Sequence, residues 1–446
     1  MHTLYFPGTP WIYPPLFQII LSMPIIFGAP PLQTVFTLGL AFDILQALPL
    51  FVLGRRLGGS MVGWIVALLY AIDASHVYPL TWGGYPNLMA SFLIAIAVVL
   101  LTESEWMAQL ELALMIVLIG LTHHLSLAVV VAIICINVAI LFHRKDSRHA
   151  LHKLLAMVLG LTVLTFWYVP RLQLYLSLIP TGPSLPGLLS QGIVRTVGLF
   201  VVTFGLGGLL VLATLFFILR YPPVREASPV LSWFLGPLLL AVPFVFTPNI
   251  SIRLLYYATP PALVVFATVL TRWIRSPSTQ VSNLRTRTLP WATLSKRGKI
   301  FLLLLLVIFG AGESLWTSEN AHDFYRNNNP DIMNITKWSE QTHAKSGTTI
   351  APLVPAMYIA AISSKPVVAV GDPVWFSLMS EREMVADAHI ILTTPPSNQT
   401  FRDYVCRMNV TYIVFDGPVP SWVPNNVQRV EYASGNYTIV SVNENC

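Results

Sequence analysis

Residues 31–53 are PLQTVFTLGLAFDILQALPLFVL, and Gly54-Arg55-Arg56-Leu57-Gly58 follows directly. At 1.5 Å per residue this apolar run is long enough to cross a hydrocarbon core, which takes roughly 20 residues. One acidic residue, Asp43, interrupts it, and two arginines close it. The pattern predicts a membrane span whose basic end stays on the cytoplasmic side.

Similar blocks recur along the chain, at about 60–79, 86–101, 107–122, 125–142, 154–169, 194–219, 230–246, 254–271 and 300–316, so about ten spans are predicted. Before them, Pro14–Phe27 is apolar but short and opens on two prolines, which predicts a helix lying at the membrane interface. MHTLYFPGTPWIYPPLF lacks a basic start and a small-residue cleavage site, so it is not a signal peptide. Composition agrees with the membrane class: of 446 residues, 55% are hydrophobic and only 10% charged, with mean hydropathy +0.67. A soluble chain of this length needs more polar surface than that.

The net charge of +6 does not point to nucleic acid, because the basic residues sit in short loops between apolar blocks. Alternate loops collect Arg55 and Arg56; Arg144, Lys145, Arg148 and Lys153; Arg220 and Arg225; and a cluster from Arg272 to Lys299. The opposite loops hold Arg171, Arg195 and Arg253. One loop of the basic set, with Glu103 and Glu105, carries no basic residue. The asymmetry predicts a multi-pass cell-membrane protein with its N-terminus and its C-terminal segment outside the cytoplasm.

The predicted fold is therefore an α-helical polytopic membrane domain over 1–316 and an extracytoplasmic α/β domain over 317–446. In the second, NITKWSEQTHA predicts a helix with Asn334 as N-cap. TTIAPL, KPVVAV, AHIILTT and VTYIVFDG predict short strands. VQRVEYASGNYTIVSV predicts a hairpin turning at Ser434-Gly435-Asn436. Sequons at Asn249, Asn334, Asn398, Asn409 and Asn436 all fall on the predicted exterior side, making a glycoprotein of the chain. Of the three cysteines, Cys135 lies in an apolar block and is expected as a small buried core residue. Cys406 and Cys446, both outside, are expected to form a disulfide.

Ionisable residues within spans mark the places to look for chemistry. Asp43 and Gln46 share a helix face; they form either a site at membrane depth or, the favoured alternative, interhelical hydrogen bonds. Asp73 and His76, three residues apart on a helix, are expected to face one way. The turn Thr81-Trp82-Gly83-Gly84-Tyr85-Pro86 follows, with two glycines for a tight turn and Pro86 in the first turn of the next helix. An acid, an imidazole and a backbone-rich turn suit a metal or phosphate; Trp82 and Tyr85 equally suit the interfacial aromatic belt. His123 and His124, as helix neighbours, should point about 100° apart. Arg253, at the outer start of a span, could clamp a lipid phosphate or simply snorkel to the interface.

Tyr13-Pro-Pro-Leu-Phe17, the apolar helix ending Phe27-Gly28, the following span and Gly54-Arg-Arg-Leu-Gly58 together resemble the start of C-type glycosyltransferases (the GT-C superfamily). These include protein mannosyltransferases, aminoarabinose transferases and oligosaccharyltransferases; the Trp82–Pro86 turn, the exterior histidines and Arg253 are similar to archaeal members. The resemblance implies transfer of a sugar or glycan from a polyprenyl-phosphate carrier at the outer face. It implies Asp73 and His76 as catalytic, with Asp73 also a ligand to Mg or Mn, and Arg253 as the phosphate clamp. Substrate contacts are expected from Tyr85, Gly83, Gly84 and His123. The chain departs from that pattern in having no acidic residue before Asp43 and no span before the "PPL" helix, so a truncated start or lost chemistry is expected. The alternatives are a non-catalytic scaffold carrying the exterior domain, or a lipid or solute transporter, for which internal repeats are not evident.

Overall fold

In the computed structural model the described residues are chiefly 14–76, 84–172, 207–216, 228–244, 253–275, 330–341, 347–352, 367–370, 387–393, 398–421 and 428–442, with a few single positions between. They divide into two compact units. One comprises Tyr13–Tyr168 with Pro183–His322, the other mainly Asp323–Cys446.

The first unit is helical: α1 Leu16–Ile26, α2 Pro31–Gly58, α3 Ser60–Ile72, α4 Tyr85–Leu101, α5 Trp106–Thr122, α6 His124–His143 and α7 Ser147–Tyr168. After these come α8 Gly207–Phe216, α9 Ser228–Ala241 and α10 Thr259–Arg275. Among the described residues, four helical stretches are long and apolar enough to cross a membrane: Gln33–Gly58, His124–His143, Ser147–Arg171 and Arg253–Arg272. Five further helices between α3 and α9 are apolar but shorter. The predicted spans at about 194–219 and 300–316 lie largely outside the described residues, as does the basic segment Arg272–Lys299 beyond Arg275.

α2 packs against α3 and α4, α5 against α7, and α6 against α9; α10 lies on α2, α3 and α9. The outward faces are apolar. Trp64 is 69% exposed and Phe166 83%, with Leu48, Leu114 and Leu159 also turned out. Asp43, Gln46, Asp73, Asn87, His123 and Asn137 are buried. A protein in water reverses this arrangement; in a bilayer it puts hydrocarbon against lipid and polar groups against each other. The chain is a multi-pass membrane protein. Cys135 departs from its expected place, because it is exposed on α6 rather than buried. Its sulfur lies 4.0 Å from that of Met157.

The second unit is α/β. A five-stranded sheet runs in the order β2-β1-β3-β5-β4, formed by β1 Thr348–Pro352, β2 Val367–Val370, β3 Val410–Asp416, β4 Gln428–Ser434 and β5 Tyr437–Val442. β1 is parallel to β2 and β3; β5 is antiparallel to β3 and β4. Alternation along β3 and β5 supplies two cores. Ile413, Phe415, Val440 and Val442 meet Phe401 and Val405 of helix α12, Asn398–Arg407. Val414 and Ile439 meet Ile332 and Ile335 of α11, Pro330–Gln341. The hairpin turns where expected: Ser434 pairs with Tyr437 across Gly435-Asn436, and Gly435 takes the left-handed φ of +55°.

Two local expectations fail. AHIILTT belongs to a helix over 387–393 rather than a strand. Ala388 and Ile391, three apart, both enter the core, and Thr393 donates to His389 O one turn back. Its period is helical despite the β-branched residues. Asn334 is no N-cap either, because α11 starts at Pro330 with Asp331 in its first turn. Proline fits that first position, where its missing N–H costs nothing. The Asn334 amide instead donates to Ser434 Oγ at 3.2 Å.

Among the sequons, Asn334, Asn409 and Asn436 are exposed and Asn398 opens α12, while Asn249 lies outside the described residues. Cys406 is disulfide-bonded; Cys446 lies outside the described residues.

Candidate functional site

Several buried polar residues of the helical unit, among them Asp73, Asn87, His123 and Ser126, lie near the ends of α3 and α5 and the start of α4. α3 stops at Ile72 because Asp73 leaves helical geometry, at φ −82° and ψ 120°, and a single 3-10 turn, Ala74–His76, carries the chain on. That break separates Asp73 from His76, so they do not share one helical face.

His76 turns back onto α2. Its Nδ1 lies 2.7 Å from Asp43 Oδ2, and Tyr70 Oη donates to Asp43 Oδ1 at 2.7 Å. The Tyr70 and His76 rings stack with centroids 4.6 Å apart. Asp43 is thus paired between helices, as its favoured reading held. A carboxylate 2% exposed needs such donors, since burying it unpaired would cost several kcal/mol, on the order of 3–5.

Asp73 goes elsewhere. Ser75 Oγ donates to its Oδ2, and the Ser75 amide approaches Oδ1 at 3.4 Å. The carboxylate rests on α8 at Gly207, where a Cβ would come within 2.8 Å of Oδ1 and 3.0 Å of Oδ2. Only a glycine admits the acid this close to the backbone.

The third part centres on the link between α5 and α6. His123 is extended, at φ −159° and ψ 123°, and caps α6, its Nδ1 accepting from the Ser126 amide at 3.3 Å. Helical geometry would splay His123 and His124; the extended His123 lets their rings stack instead, 5.0 Å apart. Arg253 lies within electrostatic reach of both imidazoles. A polar chain continues inward: His123 Nδ1 to Ser126 Oγ at 2.9 Å, Ser126 Oγ to Tyr257 Oη at 2.6 Å, and Tyr257 Oη to Asn87 Oδ1 at 2.9 Å. Tyr256 joins the parts. Its ring meets Tyr257 at 5.1 Å, and its hydroxyl is within electrostatic reach of Asp43 and Asp73.

Arg253, His123, Asp73 and His76 therefore belong to one polar region. Tyr85 is buried at the first turn of α4, with Pro86 in the expected place. Gly84 sits at φ −75°, a value any residue adopts, so no left-handed turn is needed there. Gly83 and Trp82 lie outside the described residues. Asp43 stood out in the sequence by its position inside a span, with interhelical hydrogen bonding as the favoured reading; Tyr70, Ser126 and Tyr257 carried no comparable signal. Among the described residues no three His, Cys, Asp or Glu side chains come together. Asp73, the expected metal ligand, is turned to Ser75 and Gly207.

No family model matches the chain, and no curated protein does. Solved structures do. ArnT from Cupriavidus metallidurans in the apo state is similar over 96% of this chain and 87% of its own, at 11% identity and TM-score 0.53. The same protein bound to undecaprenyl phosphate is similar over 96% and 88%, at 12% identity and TM-score 0.54. With buried polar residues inside an apolar helical unit and a small α/β unit after it, the chain shares the fold of ArnT over almost its whole length.

Proposed function

We propose that the chain works on a polyprenyl-phosphate-linked sugar or glycan at the outer face of the membrane, as a glycosyltransferase. The observation carrying this is the Arg253 guanidinium, within electrostatic reach of the stacked His123 and His124. A guanidinium near the membrane surface binds a phosphate through charge-assisted, bidentate hydrogen bonds. The likeness to ArnT, solved with undecaprenyl phosphate, supports that reading. So does the Lys/Arg asymmetry, which predicts the N-terminus, the sequons and the α/β unit outside the cytoplasm.

Within the proposal Arg253 holds the carrier phosphate, while His123, Tyr85 and Gly84 line the approach. Asp73 and His76 serve the reacting sugar, with Asp73 a fixed negative group beside it. No step is routed through a divalent metal. The test is binding of undecaprenyl phosphate to the purified protein in nanodiscs, then transfer from a sugar-loaded carrier. Carrier binding that Arg253→Ala leaves intact removes the clamp from the account. Binding without transfer favours the scaffold alternative.

A further inference from the structure

Three hydrogen-bonding atoms buried in the helical unit, His76 Nε2 and both polar atoms of the Gln46 amide, have no partner among the described residues. Gln46 is fully buried and one turn from Asp43 on the same face of α2. A buried polar atom without a partner costs about 1–3 kcal/mol. Three of them, on His76 and one turn from its partner Asp43, call for a polar occupant.

The pairing of His76 determines what that occupant meets. Asp43 accepts from Tyr70 at one oxygen and faces His76 Nδ1 with the other. A carboxylate there draws the imidazole proton to Nδ1, which leaves the Nε2 lone pair free to accept. The Tyr70 stack fixes the ring plane. An imidazole held by an acid on one nitrogen and unpartnered on the other is the arrangement of a general base. The Gln46 amide adds one donor and one acceptor, which suits a hydroxyl group.

We propose that His76 is a catalytic base for an acceptor hydroxyl, with Asp43 and Tyr70 as positioning residues and Gln46 as a second contact; this rests on the glycosyltransferase reading. The acceptor oxygen bonds to the sugar anomeric carbon. The bond from that carbon to the carrier phosphate oxygen breaks, its electron pair leaving on the phosphate. The hydroxyl proton passes to His76 Nε2, and Asp43 balances the imidazolium.

The experiment uses the full chain with 15N-labelled histidine in nanodiscs, the His76 signal being assigned by its loss in His76→Gln. Nδ1 is expected protonated and Nε2 not, and titrated octyl glucoside, a hydroxyl-rich probe, is expected to shift Nε2 saturably. Asp43→Asn should mix the two tautomers, Asp43→Glu should restore the first, and Gln46→Leu should weaken the glucoside response. In the transfer assay His76→Gln should lower kcat by about a hundredfold or more with carrier Kd unchanged. A protonated Nε2, a glucoside-insensitive resonance, or wild-type kcat in His76→Gln overturns the proposal. If the wild-type chain transfers nothing, the glycosyltransferase reading fails, and the base assignment falls with it. A saturable glucoside shift would then leave only a hydroxyl-binding site on His76.

Discussion

Arg56 and Glu103 meet 2.5 Å apart at the ends of α2 and α4, and Lys153 of α7 donates to the Leu101 and Glu103 carbonyls at 2.7 and 3.2 Å. Three loops assigned to one side of the membrane by charge thus touch one another. The loop that lacked a basic residue of its own takes its cations from its neighbours. Both partners of the ion pair are 38% exposed, so Glu103→Gln should change stability by less than about 1 kcal/mol. Lys153→Met should cost more, about 1–3 kcal/mol, because it strands two carbonyls at the end of α4. Thermal unfolding in detergent separates the two. Equal effects would mean that the lysine cap carries little.

The contact of Asp73 with Gly207 predicts an inverted glycine effect. In a helix, Gly→Ala ordinarily stabilises by up to about 1 kcal/mol. At Gly207 the added methyl would meet the carboxylate at 2.8 Å, so Gly207→Ala should destabilise. Asp73→Ala in the same chain should restore the gain. A double-mutant cycle on melting temperature measures the coupling, and additive effects would place the acid away from α8.

In the α/β unit, Gly435 combines a left-handed φ of +55° with a position where a Cβ would run into the Asp331 carboxylate. Gly435→Ala should cost about 1–3 kcal/mol from backbone strain and this clash. Asp331→Ala should relieve only the second part. Limited proteolysis of the α/β unit, followed by band intensity, reports both. Full rescue by Asp331→Ala would show that the backbone strain is small.

The long apolar runs were legible because each needs only its own residues: α2, α5, α6 and α7 fall close to their predicted places, as do β1, β3 and the last hairpin. What required a distant partner was not legible. Nothing near Asp43 in sequence names His76 or Tyr70, and helical spacing wrongly set Asp73 beside His76 because the chain leaves the helix at Asp73. The same assumption of helix continuity misjudged His123 and His124. Local propensity failed once, at AHIILTT, where core packing outweighed β-branching.

The cysteines give a thiol count. Cys406 is bonded and Cys135 free, so with Cys406–Cys446 as the expected pair, unreduced unfolded protein should titrate one thiol. Closing a loop of about 40 residues stabilises by about 4 kcal/mol on chain entropy alone. Reduction should therefore lower the melting temperature of the α/β unit and leave carrier binding unchanged. Three titrated thiols would rule the bond out, and a dimer lost on reduction would make it intermolecular.

Arg253 carries the last prediction. Charge-assisted hydrogen bonds contribute roughly 1.5–3 kcal/mol each, and 1.4 kcal/mol corresponds to a decade in affinity. Arg253→Ala should then weaken undecaprenyl phosphate binding by about tenfold to a hundredfold. Arg253→Lys should recover only part of it, since an ammonium keeps the charge but loses the planar fork. His123→Ala separates clamp from scaffold. Its imidazole caps α6 and leads to Ser126 and Tyr257, so it should lower stability by about 1 kcal/mol while Arg253 keeps most of the carrier affinity. The carrier is to be compared with free polyprenol at matched concentration. A loss confined to the phosphorylated lipid locates Arg253 at the phosphate, whereas an equal loss for both would assign it to packing of the hydrocarbon chain.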